Sequence, residues 1–197
     1  DAVARSVVKI EGAACDRVQD GSGFVVAPDL VVTNAHVIAG ERDTAVIRDD
    51  GRRFAGTVVA FDPDRDLAVV AVSGFDRPAL PLQADPPQAD SIGGVFGHPG
   101  GEPLRIAPSR VARQIDASGH DIYGNGDTLR QVLELSAGLR PGDSGSALVD
   151  PDGEVVGVAF AIARDRPDVA YALDLSELRT VLATVSGAEV PTGSCLA

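Results

Sequence analysis

Short β-branched runs, each closed by a cluster of turn-forming residues, recur along this chain. The first series is Ser6–Ile10, Gly23–Val26, Leu30–Thr33, Thr44–Arg48, Phe54–Ala60 and Leu67–Val72. The second is Ile92–Phe96, Leu104–Ile115, Leu129–Leu135, Ser146–Val149, Val155–Ile162 and Val169–Leu173. Runs of this length and spacing read as strands of an all-β protein. Strands so short and evenly spaced need closed sheets, because closure removes exposed edges. Between the series lies Pro81-Leu82-Gln83-Ala84-Asp85-Pro86-Pro87-Gln88-Ala89-Asp90, whose prolines cannot donate to a ladder or sit in a central strand. The pattern predicts two six-stranded antiparallel β-barrels: residues 1–84, a linker at 85–91, and residues 92–173. Residues 174–197 follow as a helix and tail, with Asp174 as N-cap and Leu175, Leu178, Val181, Leu182 and Val185 on one helical face. The Gly-rich stretch Asp116 to Asp127 has no periodicity and reads as a long mobile loop.

Charge and apolar distribution narrow the function classes. A formal net charge of −12 repels polyphosphate, and no Lys/Arg cluster offsets it, so nucleic acid is not an expected partner. The longest apolar stretch, Val155 to Ala163, is far below the roughly 20 residues of a membrane-spanning helix. A chain that opens Asp1-Ala2-Val3 and contains no Met reads as a processed product or a fragment of something longer. The two cysteines, Cys15 and Cys195, lack any metal-binding spacing, so neither a metal nor another cofactor is expected. They are either unrelated buried thiols or one long-range disulfide. A cysteine two residues from a ragged C-terminus has no core to fill, which favours the disulfide and an oxidising, extracytoplasmic compartment.

Three strings carry chemistry. Gly142-Asp143-Ser144-Gly145-Ser146 follows Arg140-Pro141 and precedes an apolar run. Acyl transfer needs a hydroxyl beside backbone N–H groups aimed at an oxygen that becomes negative, and glycines let the chain turn tightly enough to present both. Ser144 is therefore the candidate nucleophile, and the N–H groups of Gly142 and Ser144 the candidate oxyanion donors. Alone, the string could be an ordinary hairpin turn. Val32-Thr33-Asn34-Ala35-His36-Val37 adds a histidine at the end of an apolar strand, and Asp66-Leu67-Ala68-Val69-Val70 an acid opening another. A carboxylate that close to a core must be hydrogen-bonded. Asp62 and Asp64 are rivals for the acid, but they flank Pro63 in a turn where solvated acids are ordinary.

In that order, Thr-Asn-Ala-His-Val, Asp-Leu-Ala-Val-Val and Gly-Asp-Ser-Gly-Ser resemble the chymotrypsin-like serine peptidases, and most closely their bacterial HtrA/Deg-type branch. Gly21-Ser22-Gly23-Phe24-Val25-Val26, Phe96-Gly97-His98-Pro99-Gly100 and Gly153-Glu154-Val155-Val156-Gly157-Val158 support the resemblance, which covers nearly the whole chain. It implies a His36–Asp66–Ser144 triad in an endopeptidase. Its partners would be protein or peptide substrates, with self-cleavage as a further outcome. The cysteine pair and the Arg-Pro-Gly-Asp-Ser-Gly-Ser string are similar to a membrane-anchored mycobacterial group linked to acid resistance. That likeness implies a periplasmic domain tethered by N-terminal membrane helices.

The resemblance also implies a specificity pocket walled by Gly138-Leu139-Arg140 and by Ala159-Phe160-Ala161-Ile162. With no acid at its base suggested by Gly138, it suits a medium apolar residue rather than Arg or Lys. Three departures stand out: no Ile-Val-Gly-Gly-like N-terminus, no PDZ domain expected to follow, and Ser146 in place of the commoner second glycine. The first leaves Asp143 in need of a partner other than a freed amine. His98 and His120, in Gly/Pro/Asp-rich turns, read as solvated loop residues. The rival functions are a non-catalytic protein-binding module on the same fold and an esterase. The esterase lacks support from a Gly-x-Ser-x-Gly elbow.

Overall fold

Each half of the chain closes on itself. The computed structural model describes residues 2–196. The first barrel consists of β1 (Val7–Ala14), β2 (Arg17–Ala27), β3 (Leu30–Thr33), β4 (Thr44–Ile47), β5 (Arg53–Asp62) and β6 (Leu67–Ala71), in the order β1-β2-β3-β6-β5-β4. The second consists of β7 (Ile92–Gly97), β8 (Arg105–Gly119), β9 (Thr128–Ala137), β10 (Ala147–Val149), β11 (Val155–Ile162) and β12 (Val169–Asp174), in the order β10-β11-β12-β9-β8-β7. All pairs between these strands are antiparallel. The register shifts at Val25/Ala27, Val58/Ala60, Val111/Arg113 and Ala159/Ala161. An extra residue at such points bends a strand enough to turn a barrel's corner.

The barrels share apolar packing. One buried cluster runs from Val7, Phe24, Val32 and Val69 of the first barrel to Val132, Ala147, Val158 and Leu173 of the second. The proline-rich crossing is stitched to both: Leu80 N–H donates to Val25 O at 2.9 Å, and Gln83 N–H to Val155 O at 2.9 Å. Helix α2 (Leu175–Leu182) begins where Asp174 accepts from Ser176 N–H at 2.8 Å, and it buries Leu175, Leu178 and Val181. Leu182 and Val185 pack against the same cluster. Among the described residues no helix is long and apolar enough to cross a membrane.

The structure departs from the sequence reading at the Gly-rich stretch, at the tail and at His98. The stretch Asp116 to Asp127 is not one long loop: β8 continues through Gly119, β9 starts at Thr128, and the tip is built around Asp121. That side chain accepts from the N–H groups of Tyr123 at 2.9 Å and Asn125 at 2.8 Å, and Ile122 N–H donates to Pro63 O of the first barrel. The tail is not ragged: Val190 N–H donates to Val58 O at 2.9 Å, and Gly40 N–H to Thr192 O at 3.0 Å. His98 is buried rather than solvated, whereas His120 is exposed as expected.

Cys15 and Cys195 are joined in a disulfide with a Cα–Cα distance of 6.0 Å. Cys15 and Asp16 form the two-residue turn between β1 and β2, with φ of 56° and 66°. Positive φ at both positions is what a tight hairpin of this kind requires.

Candidate active site

His36 is delivered by strand β3, which runs directly into the single turn α1 (Ala35–Ile38). Asp66 stands at the entrance to β6, the neighbour of β3, so strand pairing brings acid and imidazole together. Asp66 adopts φ of 57°, a left-handed conformation that Asp tolerates better than most residues. This turns its carboxylate toward the start of α1. Oδ1 accepts from His36 N–H at 2.9 Å, and Oδ2 lies 2.7 Å from His36 Nδ1. Asn34 Nδ2 donates to Asp66 O at 2.7 Å, fixing the backbone behind the carboxylate.

A carboxylate can only accept, so Nδ1 carries the proton and Nε2 is left as the basic nitrogen. Asp66 is 4% exposed, and the His36 side chain is 30% exposed. Burial pulls the imidazole pKa down, but the Asp66 charge and hydrogen bond together outweigh it, and the net displacement is upward. The rivals do not reach the histidine: Asp62 accepts from Arg65 N–H at 2.8 Å and Arg65 Nη1 at 3.1 Å.

Ser144 comes from the second barrel, in the turn preceding β10. Ser22 N–H of β2 donates to Ser144 O at 2.9 Å. Gly21 fits between the barrels here: a Cβ on it would lie 2.6 Å from Val37 Cγ1, next to His36, and 3.3 Å from Ser144 O. The turn is shaped by two glycines with positive φ, Gly142 at 93° and Gly145 at 85°. Gly145 N–H donates to Ala159 O and Asp143 N–H to Arg140 O. Among the described residues, the N–H groups of Gly142 and Ser144 donate to no protein acceptor. A backbone donor without a partner is unusual in a structured turn and is suited to receiving an anion.

Beside Ser144 lies a pocket of about 180 Å³ lined by Leu139, Arg140, Pro141, Asp143, Ala159, Phe160, Ala161 and Ile162. Gly138, expected in its wall, does not line it; its carbonyl accepts from Arg105 Nη2 at 2.9 Å. Asp143 does line it, but its carboxylate accepts from Arg140 N–H at 2.8 Å and faces Arg105 Nη1 at 3.4 Å. Larger hollows, of about 240 and 350 Å³, follow the proline-rich crossing and hold none of these residues.

In the sequence, Ser22 and the Gly97–Gly100 string mark the family resemblance, but their support of the Ser144 turn from behind is not legible there. Ser22 Oγ donates to Gly142 O at 2.8 Å and accepts from His98 N–H at 2.8 Å. Gly100 N–H donates to Pro141 O at 3.1 Å. Gly97, Gly100 and Gly142 come together only in the fold. A Cβ on Gly142 would collide with Gly100 N, and one on Gly97 with Ser146 Oγ.

Two closed antiparallel barrels with an Asp–His pair on one and a Gly-Asp-Ser-Gly turn on the other define a chymotrypsin-like serine peptidase architecture. Residues 21–158 match the family model described as a trypsin-like peptidase domain, and the chain belongs to that family. It is similar to serine protease Rv3671c of Mycobacterium tuberculosis, with 39% identity over 195 residues covering 97% of this chain and 49% of the relative. It is also similar to human serine protease HTRA4, with 31% identity covering 83% of this chain and 38% of the relative. The chain thus spans about half or less of the length of these curated relatives. The crystal structure of Rv3671c protease in its active form superposes with a TM-score of 0.97 at 38% identity, covering 100% of this chain and 88% of that one. Its inactive form gives 0.84, covering 94% and 91%.

Proposed function

We propose that this chain is a serine endopeptidase that cleaves peptide bonds through an acyl-enzyme, with Ser144 as nucleophile, His36 as general base and then acid, and Asp66 as the orienting carboxylate. The observation that carries the reading is the two-point grip of Asp66 on His36, at the backbone N–H and at Nδ1. A carboxylate held that way dictates the tautomer, and it stabilises the imidazolium that forms when Nε2 takes a proton.

As Ser144 Oγ bonds to the scissile carbonyl carbon, its proton passes to His36 Nε2 and the carbonyl oxygen gains the negative charge. The unpartnered N–H groups of Gly142 and Ser144 are the donors for that charge. One such donor is worth roughly 2.7–4 kcal/mol of barrier in a preorganised site. Nε2 returns the proton to the amine as the C–N bond breaks, leaving an ester on Ser144. Water then repeats the sequence: its proton goes to Nε2, its oxygen attacks the ester, and Ser144 leaves with that proton. Ala159, Ala161, Ile162 and Leu139 give the adjoining pocket apolar walls, and the Asp143 carboxylate is already engaged, so a medium apolar side chain suits it better than Lys or Arg. The disulfide favours an extracytoplasmic setting, as does 31% identity to a probable periplasmic DegP-like endoprotease of Chlamydia pneumoniae. Tethering through a region preceding this chain belongs to the same reading.

Incubation with a fluorophosphonate probe, followed by peptide-cleavage assays on wild type and Ser144→Ala, tests the assignment. One label per chain on Ser144 is expected, and cleavage should fall by on the order of 10⁴ or more in the variant. Turnover near wild type in Ser144→Ala would remove the triad. Absence of labelling in wild type would favour the binding-module alternative, and ester turnover without peptide turnover the esterase.

A further inference from the structure

The turn that presents Ser144 does not hold its own shape. It contains two glycines at positive φ, and between them sits Asp143, whose side chain is almost fully buried. An acid removed from water in this way must be paired and hydrogen-bonded to stay charged. Burial pushes its carboxyl upward, and the Arg140 N–H and the charges of Arg105 and Arg140 offset this only in part. The Arg140 contact is local to the turn. The only side-chain cation that forms an ion pair with Asp143 among the described residues is Arg105, from the first position of β8.

Arg105 does two things with one planar group. Nη1 faces Asp143 Oδ2 at 3.4 Å, and Nη2 donates to Gly138 O at 2.9 Å. It therefore ties the carboxylate inside the turn to the backbone that leads into it. Arg105 also lies on the same short segment as Gly100, whose N–H fixes Pro141 O. Pro141 O is the opposite end of the peptide unit that carries the Gly142 N–H. Rotation of that unit would carry the donor away from where the oxyanion forms. The other end of the segment is held as well: Lys9 Nζ donates to Gly101 O, and His98 Nδ1 contacts Glu102 O at 3.0 Å.

We propose that Arg105 is a positioning residue that acts through Asp143 to hold the Gly142 and Ser144 N–H groups in their oxyanion-receiving arrangement. The inference rests on the proposed peptidase reading. Without the guanidinium, Asp143 keeps the Arg140 N–H but loses its ion pair, so its carboxyl takes up a proton more readily or swings toward water. Either change loosens the turn from Arg140 to Ser144 while leaving His36, Asp66 and both barrel cores unchanged.

Arg105→Ala, Arg105→Lys and Arg105→Gln are compared with wild type and Ser144→Ala in steady-state peptide cleavage, in the rate of fluorophosphonate labelling, and in thermal melting. The expected result for Arg105→Ala is a loss of about 10² or more in kcat, with KM within threefold. Labelling should slow in parallel. Lys should recover at least tenfold of that loss by restoring a cation near Asp143, and Gln, which can bond Gly138 O without a charge, should not. Activity of Arg105→Ala within twofold of wild type overturns the proposal, as does a loss confined to KM. If Arg105→Ala melts below the assay temperature, the Lys and Gln variants decide, and equal activity in those two overturns it. If Ser144→Ala is inactive while the Arg105 variants behave as wild type, only this inference falls. If wild type takes no label, the peptidase reading falls and this inference with it.

Discussion

Two titratable side chains, half-buried His36 and buried Glu41, lie five residues apart and set opposite demands on pH. His36 must be neutral at Nε2 to accept the Ser144 proton, and its pKa is displaced upward by Asp66 against the opposing effect of burial. Activity should therefore fall as pH drops through a point above the ordinary histidine value of about 6.5. In the pH profile of kcat/KM, the acid limb of Asp66→Asn, with that charge removed, should lie lower than in wild type. An unchanged limb would dissociate His36 from the titration. Glu41 concerns stability instead. The residue is 5% exposed, Oε2 accepts from Thr44 Oγ1 at 2.6 Å, and Oε1 has no partner among the described residues. Burial pushes its pKa up to about 7, the Thr44 hydroxyl opposes this, and Glu11 adds to it. A folded-state pKa above the unfolded one means the native protein binds the proton more tightly. The contribution is complete below about pH 4.5 and is lost as pH rises through about 7, an effect of about 3 kcal/mol. Urea unfolding of wild type and Glu41→Gln at pH 4.5 and pH 7.5 checks it: the stability difference between the two proteins should shift by about that amount in favour of Gln at the higher pH. Parallel behaviour at both values would exclude Glu41 as the source.

At the scale of elements, the sequence pattern succeeds where burial imposes a period and fails where polar strands pair outside the core. Leu30–Thr33 and Val155–Ile162 coincide with β3 and β11 because their interior residues must be apolar and turn residues bound them on both sides. β2 begins already at Arg17 and β8 runs to Gly119, through residues that are half exposed or fully exposed, and β1 extends to Ala14 with buried and exposed residues alternating. There, cross-strand hydrogen bonds hold the hairpins with little help from side-chain hydrophobicity. The His36–Asp66 pair was legible because each residue stands at the end of an apolar run. The support behind Ser144 was not, because Ser22, Gly97, His98, Gly100 and Arg105 acquire meaning only when β2 and β7 face the Gly142 turn. Likewise His98 looks like an ordinary turn residue in a Gly-His-Pro-Gly string. Its burial follows from the packing of the Pro99–Gly101 turn against β2 and the Ser144 loop. Burial keeps its imidazole pKa low, so this side chain is held neutral in the support.

For the whole molecule, the decisive long-range link is the one between the two ends of the chain. Cys15 and Cys195 close a loop of 180 residues, and on the chain-entropy model such a link stabilises the fold by roughly 5 kcal/mol. Its mechanical position is narrower than its span. Gly40 packs against both cysteines, Thr192 is hydrogen-bonded to Gly40 N–H and Glu41 O, and Gln19 Nε2 donates to the carbonyls of Val37 and Ala39. The bridge thus fastens the tail and the β1–β2 hairpin to the stretch that leaves α1, on the His36 side of the site. The Ser144 turn is held by Ser22, Gly100 and Arg105, which among the described residues form no hydrogen bond to the tail. In a Cys15→Ser variant, melting should fall by roughly 10–20 °C, given about 2–4 °C per kcal/mol for a chain of this size. Hydrogen exchange should accelerate first at residues 12–18, 38–44 and 189–195, while amides of the second barrel stay protected at temperatures well below the new midpoint. An unchanged melting temperature would show that the tail is held by its hydrogen bonds alone, and a uniform loss of protection would show that the bridge stabilises both barrels as one unit.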